Sequence, residues 1–202
     1  NTLDTDTNIR VVCLFDNEEV GSRSEHGADS NLFPMMMKRI YNAIPYEETI
    51  TMDQLDNAFA CAMRQSLLIS ADMAHALHPN YANKHEKNHQ PLMNQGLVIK
   101  QNANQRYATT SITTFLLHRI AKDLNLPIQK FVVRNDSGCG STIGPALSSG
   151  SGIRTIDVGI AQWAMHSIRE TCGVQDVYDS YQLFKGVFEK YAILNSSLKN
   201  AE

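Results

Sequence analysis

The segment from Gly96 to Arg134 reads GLVIKQNANQRYATTSITTFLLHRIAKDLNLPIQKFVVR. It opens on a short apolar run, Gly96–Lys100, that predicts a strand. After a polar stretch, Ile112, Phe115, Leu116 and Ile120 recur at helical spacing, and Lys130–Arg134 predicts a second strand. The same alternation extends both ways. Upstream, Ile9–Phe15 (IRVVCLF) reads as a buried strand, and Leu32–Ile44 as a helix capped by Asp29 or Ser30, with Pro34 in its first turn and Pro45 ending it. The capping-box pattern Thr51-Met-Asp-Gln54 precedes Leu55, Ala58, Phe59, Ala62 and Met63 on one helical face. Ser66–Ala71 reads as a strand, and Asp72 to about Gln95 as a long polar loop of the kind that usually carries function. Downstream come a Gly-rich turn over Asp136–Pro145, a strand Ile153–Val158, a capping box Ser167-Ile-Arg-Glu170 and a last helix marked by Val177, Tyr181, Phe184, Phe188 and Tyr191. Strands alternating with helices predict an α/β fold around a largely parallel or mixed sheet flanked by helices.

Composition narrows the function classes. The 202 residues are 43% hydrophobic and 19% charged, as in an ordinary globular protein. A net charge of -3 gives no reason to expect nucleic acid or an anionic membrane as partner. No apolar run approaches the length of a membrane span, and no secretory leader opens the chain. Cys13, Cys61, Cys139 and Cys172 form no C-x-x-C pair, and three of them sit in apolar or tightly turning contexts that suit reduced, buried thiols of a cytosolic protein. The chain starts at Asn1, directly before an apparent core strand, which predicts a fragment of a larger protein.

In such sheets chemistry gathers where strands end in loops. Glu18 and Glu19 follow the run Ile9–Phe15 within Asp16-Asn-Glu-Glu-Val-Gly21. Adjacent carboxylates on a loop can divide the two roles that metal-assisted hydrolysis needs, one as ligand and one as base toward water. A bare Glu-Glu pair is ordinarily a solvated acidic turn. An acidic pair directly after an apolar run is the less ordinary setting. Asp72 ends a strand, and His75 and His78 follow at three-residue spacing. These are typical zinc-ligand types, although a hydrogen-bonded Asp at a strand end is the bland alternative. Lys84-His-Glu-Lys-Asn-His89 is rich in histidine without a ligand spacing that demands metal. His166, a lone histidine beside Trp163 and Met165, is more often a satisfied structural residue, but its place before the helix that the capping box predicts puts it on the same rim. The Gly-rich turn lacks the lysine of a phosphate loop, and Cys139 within it has no histidine close in sequence to activate it.

Six segments in order, LFDNEEVGS, ISADMAHALHPNY, KHEKNHQP, GLVIK, RNDSGCGSTIGP and GIAQWAMHSIRE, resemble the M18 family of metallopeptidases, the aspartyl aminopeptidases, from about Val11 to the C-terminus. The resemblance implies a zinc-aminopeptidase (phosphorylase/hydrolase-like) fold, of which this chain is the C-terminal part of the catalytic domain. The upstream catalytic segment and the dimerisation domain would then be missing. It implies Glu18 as general base, Glu19 and His166 as ligands of one zinc, and Asp72 as a ligand of the second. Glu18, Asp72, His75, Lys100 and Tyr107 match positions that line the substrate pocket. A bridging carboxylate and a further histidine should lie upstream of Glu18. Asp4 and Asp6 are too close to it, and no histidine precedes His26. The implied reaction removes N-terminal Asp or Glu from peptides at two Zn2+ ions, with Mn2+ or Co2+ as alternatives, and the isolated chain is expected to be inactive. The implied assembly is a homo-oligomer, a dodecamer in the family, without nucleic-acid or membrane partners. The implied location is cytoplasmic, or vacuolar in a branch that favours neutral residues. A truncated structural relative is the competing class.

Overall fold

The computed structural model describes residues 4, 6, 8–46 and 49–199, the side chains at 198 and 199 apart. A four-stranded sheet forms its centre. In chain order the elements are α1 (Leu32–Asn42), α2 (Met52–Gln65), β1 (Leu67–Ala71), β2 (Ala74–His75), a 3-10 segment (Pro79–Lys84), β3 (Leu97–Gln101), α3 (Ser111–Asp123), β4 (Ile128–Val132), α4 (Ile143–Ser151), β5 (Arg154–Gly159), β6 (Ala161–Trp163), β7 (Thr171–Cys172) and α5 (Val174–Lys199). The large sheet runs β1-β5-β3-β4 and a small one runs β2-β6-β7. β1 pairs with β5 and β3 with β4 in parallel, whereas β3 meets β5 antiparallel. The sheet is therefore mixed.

Strand periodicity sends alternate side chains to opposite faces. Leu97, Ile99, Ile156 and Val158 pack with Leu117 and Ile120 of α3 and with Leu183 and Val187 of α5. The opposite face packs Leu68 with Phe33, Met63 and Leu147 from α1, α2 and α4. A helix–sheet–helix sandwich results. The Thr51 capping box forms as the sequence predicts: Gln54 N donates to Thr51 Oγ1, and Thr51 N donates to Gln54 Oε1. Thr110 and Thr113 make a second box ahead of α3. Among the described residues, no helix is long and apolar enough to cross a membrane.

Several expectations need correction. Ile9–Phe15 forms no strand. It alternates as a strand would, with Cys13 and Phe15 against the α1/α4 cluster and Val12 and Leu14 outward at 76% and 95% exposure, but no neighbouring strand pairs with it among the described residues. Strand β4 lies two residues earlier than expected, at Ile128–Val132. Within the presumed 72–95 loop lie β2 and the 3-10 segment. The Gly-rich stretch runs into α4, which starts inside the expected turn Asp136–Pro145 and ends before the expected strand Ile153–Val158.

Ser167–Glu170 caps no helix. Glu170 Oε1 accepts instead from His166 N, closing a turn before β7. On α3, Ile112 and Phe115 face outward. On α5 the buried face is Asp176, Asp179, Ser180, Leu183 and Val187, while Val177, Tyr181 and Phe188 are exposed. A polar side chain fixes that phase: Asp176 accepts from the backbone N–H of Asn94 at 2.6 Å and of Gly96 at 2.7 Å. The four cysteines are free, but Cys61 and Cys172 are exposed and Cys13 and Cys139 only half-buried.

Candidate functional site

Glu18 and Glu19 sit on a tight turn rather than at the end of a strand. Gly21 N donates to Glu18 O at 3.0 Å and Ser22 N to Asn17 O at 2.8 Å. Asn17, Gly21 and Ser22 all take positive φ (62°, 104° and 60°), a conformation that side chains other than glycine adopt at a cost. The turn presents Glu19 to His166: Glu19 Oε2 lies 3.3 Å from His166 Nε2. His166 also has positive φ (69°), as does Ala164 (58°). Both halves of this contact thus hang on sharply bent backbone beyond the sheet.

Asp72 follows β1 directly, its N–H donating to Val158 O at 3.0 Å. Gly159 permits that approach, because a Cβ there would stand 1.7 Å from Asp72 O. Asp72 Oδ1 accepts from Met73 N at 2.7 Å, and Oδ2 accepts from Lys100 Nζ at 3.2 Å. Lys100 lies on β3, only 2% exposed, and also donates to Met73 O at 3.0 Å. Its ammonium stands 5.1 Å from the ring centre of Tyr107. The antiparallel β3/β5 junction carries a residue from within a strand to the rim where β1 ends.

The two charged groupings share one field. Burial pushes the Glu18 carboxyl above its ordinary range, the negative charges of Asp72 and Glu19 push it further, and Lys100 and His166 oppose them. His75 on β2 keeps contact with solvent, yet the protein packed around it holds its pKa below the ordinary value, with His85, His166 and Lys100 adding to the effect. Tyr107 is buried, and desolvation together with a hydrogen bond to Cys139 moves its hydroxyl upward. Glu18, Glu19, Asp72, His75, Lys100, Tyr107 and His166 therefore gather on one rim. His78 stacks apart from them, near Tyr81 and Trp163, and Trp163 Nε1 donates to Leu77 O at 2.8 Å. In the histidine-rich segment, His89 Nδ1 meets Glu86 Oε2 while His85 packs against Phe131.

Among the described residues, no group of three or more His, Cys, Asp or Glu side chains converges on one point. Glu19 with His166 supplies two donors of the kind zinc takes, half of a tetrahedral set. Asp72 has both oxygens hydrogen-bonded, but a carboxylate offers about four lone-pair positions and retains room for an ion. The donors present fit an incomplete zinc site.

Asp157 and Gly159 shape this rim from β5 and are not among the residues that the sequence motifs single out. The signal for Asp157 was a lone carboxylate inside the apolar run Ile156-Asp-Val158.

The aspartyl aminopeptidase of Aspergillus oryzae is 49% identical over 198 residues, covering 95% of this chain and 39% of that protein. A cryo-EM structure of an Ape4 and Nbr1 complex superposes with a TM-score of 0.90 at 45% identity, covering 98% of this chain and 36% of the other. The Saccharomyces cerevisiae mApe1 dodecamer gives a TM-score of 0.78 at 32% identity, over 92% of this chain and 39% of the other. The chain thus spans about two fifths of the length of these relatives. Residues 1–188 match the aminopeptidase I zinc metalloprotease (M18) family, and the chain belongs to that family.

Proposed function

We propose that the protein carrying this chain is a zinc aminopeptidase that removes N-terminal Asp or Glu from peptides, and that the chain supplies part of its catalytic domain. The observation that carries this reading is the meeting of Glu19 and His166 at 3.3 Å beside a Glu18 that also feels Asp72 and Lys100. Glu19 and His166 would hold one ion, and Asp72 would hold a second. Zinc, when bound, supplies Lewis-acid polarisation of the scissile carbonyl and makes water acidic enough to react near neutral pH. Glu18 takes the proton from the attacking water on a carboxylate oxygen and returns it to the departing amine. An ammonium carries three donors, and Lys100 spends two on Asp72 and Met73 O. The third is the one an acidic substrate side chain would take, which favours acidic over neutral residues. His75 and Tyr107 line the same pocket. The remaining ligands would come from the part of the family architecture that this chain does not span. The dodecameric relative supports self-association of the whole protein.

The test uses the longest protein that carries the chain. Glu18→Gln should keep its zinc and lose turnover of Asp-anilide by about 10²–10⁴-fold. Asp72→Ala should lose zinc as measured by elemental analysis. A Glu18→Gln variant with wild-type turnover would sink the assignment of the base, and faster release of Leu than Asp would sink the acidic preference.

A further inference from the structure

Asp157 lies on β5 with no exposed surface, and its carboxylate ties together three segments that each lead into the rim. On β1, Ser70 Oγ donates to Oδ1 at 2.6 Å, two residues before Asp72. In the loop after β3, Ala108 N donates to Oδ2 at 2.6 Å, directly after Tyr107. Ahead of α4, Thr142 Oγ1 donates to Oδ1, three residues beyond the Cys139 that meets the Tyr107 hydroxyl. The Asp157 backbone N–H donates to Thr109 Oγ1 at 3.0 Å, fixing the same loop a second time. Gly144, in the first turn of α4, leaves space for the carboxylate, since a Cβ there would come within 2.3 Å of it. A carboxylate at the start of a helix is also favoured by the helix dipole.

Of the three donors, Ala108 N–H has the fewest choices. A backbone N–H can only donate, whereas the two hydroxyls can rotate and accept. The loop from Gln101 to Thr110 therefore owes the position of its buried end to Asp157. That end carries Tyr107, whose ring faces Lys100.

We propose that Asp157 is a positioning residue for the specificity end of the pocket: it sets Tyr107 against Lys100, and so the place where the acidic side chain of the substrate is held. This rests on the reading of Lys100 and Tyr107 as pocket residues given above. It assigns Asp157 no contact with substrate.

The experiment compares wild type with Asp157→Ala and Asp157→Asn in the longest protein that carries the chain, well below the melting temperature of each. Asp157→Ala strips Ala108 N–H of its acceptor and should raise KM for Asp-anilide about tenfold while leaving KM for Leu-anilide and zinc content near wild type. Asp157→Asn can keep its oxygen on Ala108 N and donate from its amide to the two hydroxyls, so it should restore KM to within about threefold. Equal losses on both substrates in step with the unfolded fraction would reduce Asp157 to a fold residue and overturn the proposal. So would an Asp157→Asn variant as impaired as Asp157→Ala. Should Asp157→Ala fail to fold, Thr142→Val removes one donor without changing shape. It should raise KM for Asp-anilide by about threefold, and no change would count against the proposal. Crystal structures of wild type and Asp157→Asn or Thr142→Val separate this inference from the activity itself. If wild type releases neither Asp nor Leu, the proposed function fails. The placement of Tyr107 is then judged by structure alone: the Thr142→Val crystal should show its ring moved off Lys100, with the ring kept in Asp157→Asn. An unmoved ring in Thr142→Val overturns the proposal.

Discussion

At the scale of single residues, the rim depends as much on what is missing as on what is present. Gly159 gives Asp72 its place, because any side chain would drive a Cβ into Asp72 O. Gly159→Ala should cost about 1–3 kcal/mol of stability by overpacking, read as a lower urea midpoint. Gly140→Ala, where a Cβ meets nothing within 4 Å, should change it by less than about 0.5 kcal/mol. Glu18, Glu19 and Asp72 could be picked out as carboxylates that follow apolar runs and His166 by its place on a loop, but it was the family resemblance that joined them into one site. Asp157 and Gly159 did not stand out. A buried carboxylate among Ile156 and Val158 and a glycine at a strand end acquire meaning only when β1 is laid beside β5.

At the scale of elements, α3 shows how packing converts composition into pH dependence. His118 is half-buried on α3, and desolvation, aided by Lys130, holds its pKa below the ordinary value. His85, buried between other segments, is shifted the same way by desolvation. A histidine depressed in the folded state binds its proton more readily when unfolded. Stability is then full above about pH 6.5 and declines as pH falls below that value. Thermal unfolding scanned from pH 7.5 to 5.5 should show a falling midpoint, with a smaller fall in His118→Gln. A midpoint that rises on acidification would contradict the assignment. The helices themselves were readable where caps and stripes agreed, as at Thr51 and Gln54. The phase of α5 was not, because Asp176 and Asp179 lie on its buried face while Val177, Tyr181 and Phe188 stand outside. Helix α4 was hidden by its glycines and serines, which are poor helix formers that tertiary contacts with β1 and β5 override.

At the scale of the whole molecule, the described residues hold a well-formed sheet and an incomplete set of metal donors. Zinc in a catalytic site needs three protein ligands, and the Glu19–His166 contact brings two. The 202-residue chain expressed alone should therefore bind zinc weakly by calorimetry and release no Asp from Asp-anilide. Measurable turnover by the purified chain would show that its donors suffice. The alternation of strand and helix was legible from Gly96–Arg134 onward. The antiparallel meeting of β3 and β5 was not, because nothing in a strand's own residues states the direction of its neighbour.

That meeting has a consequence for the order of assembly during synthesis. Strand β5 lies between β1 and β3, yet Arg154 leaves the ribosome long after both. Until it arrives, β3 and β4 can pair locally around α3, while β1 waits with an open edge and Asp72 has no Lys100 to meet. Distant pairings of this kind slow folding and leave strand edges open to wrong partners. A chain released at Gly152 would thus hold β1 unpaired beside a separate β3–β4 pair, and β5, laid into the middle, is the strand that joins them and completes the rim.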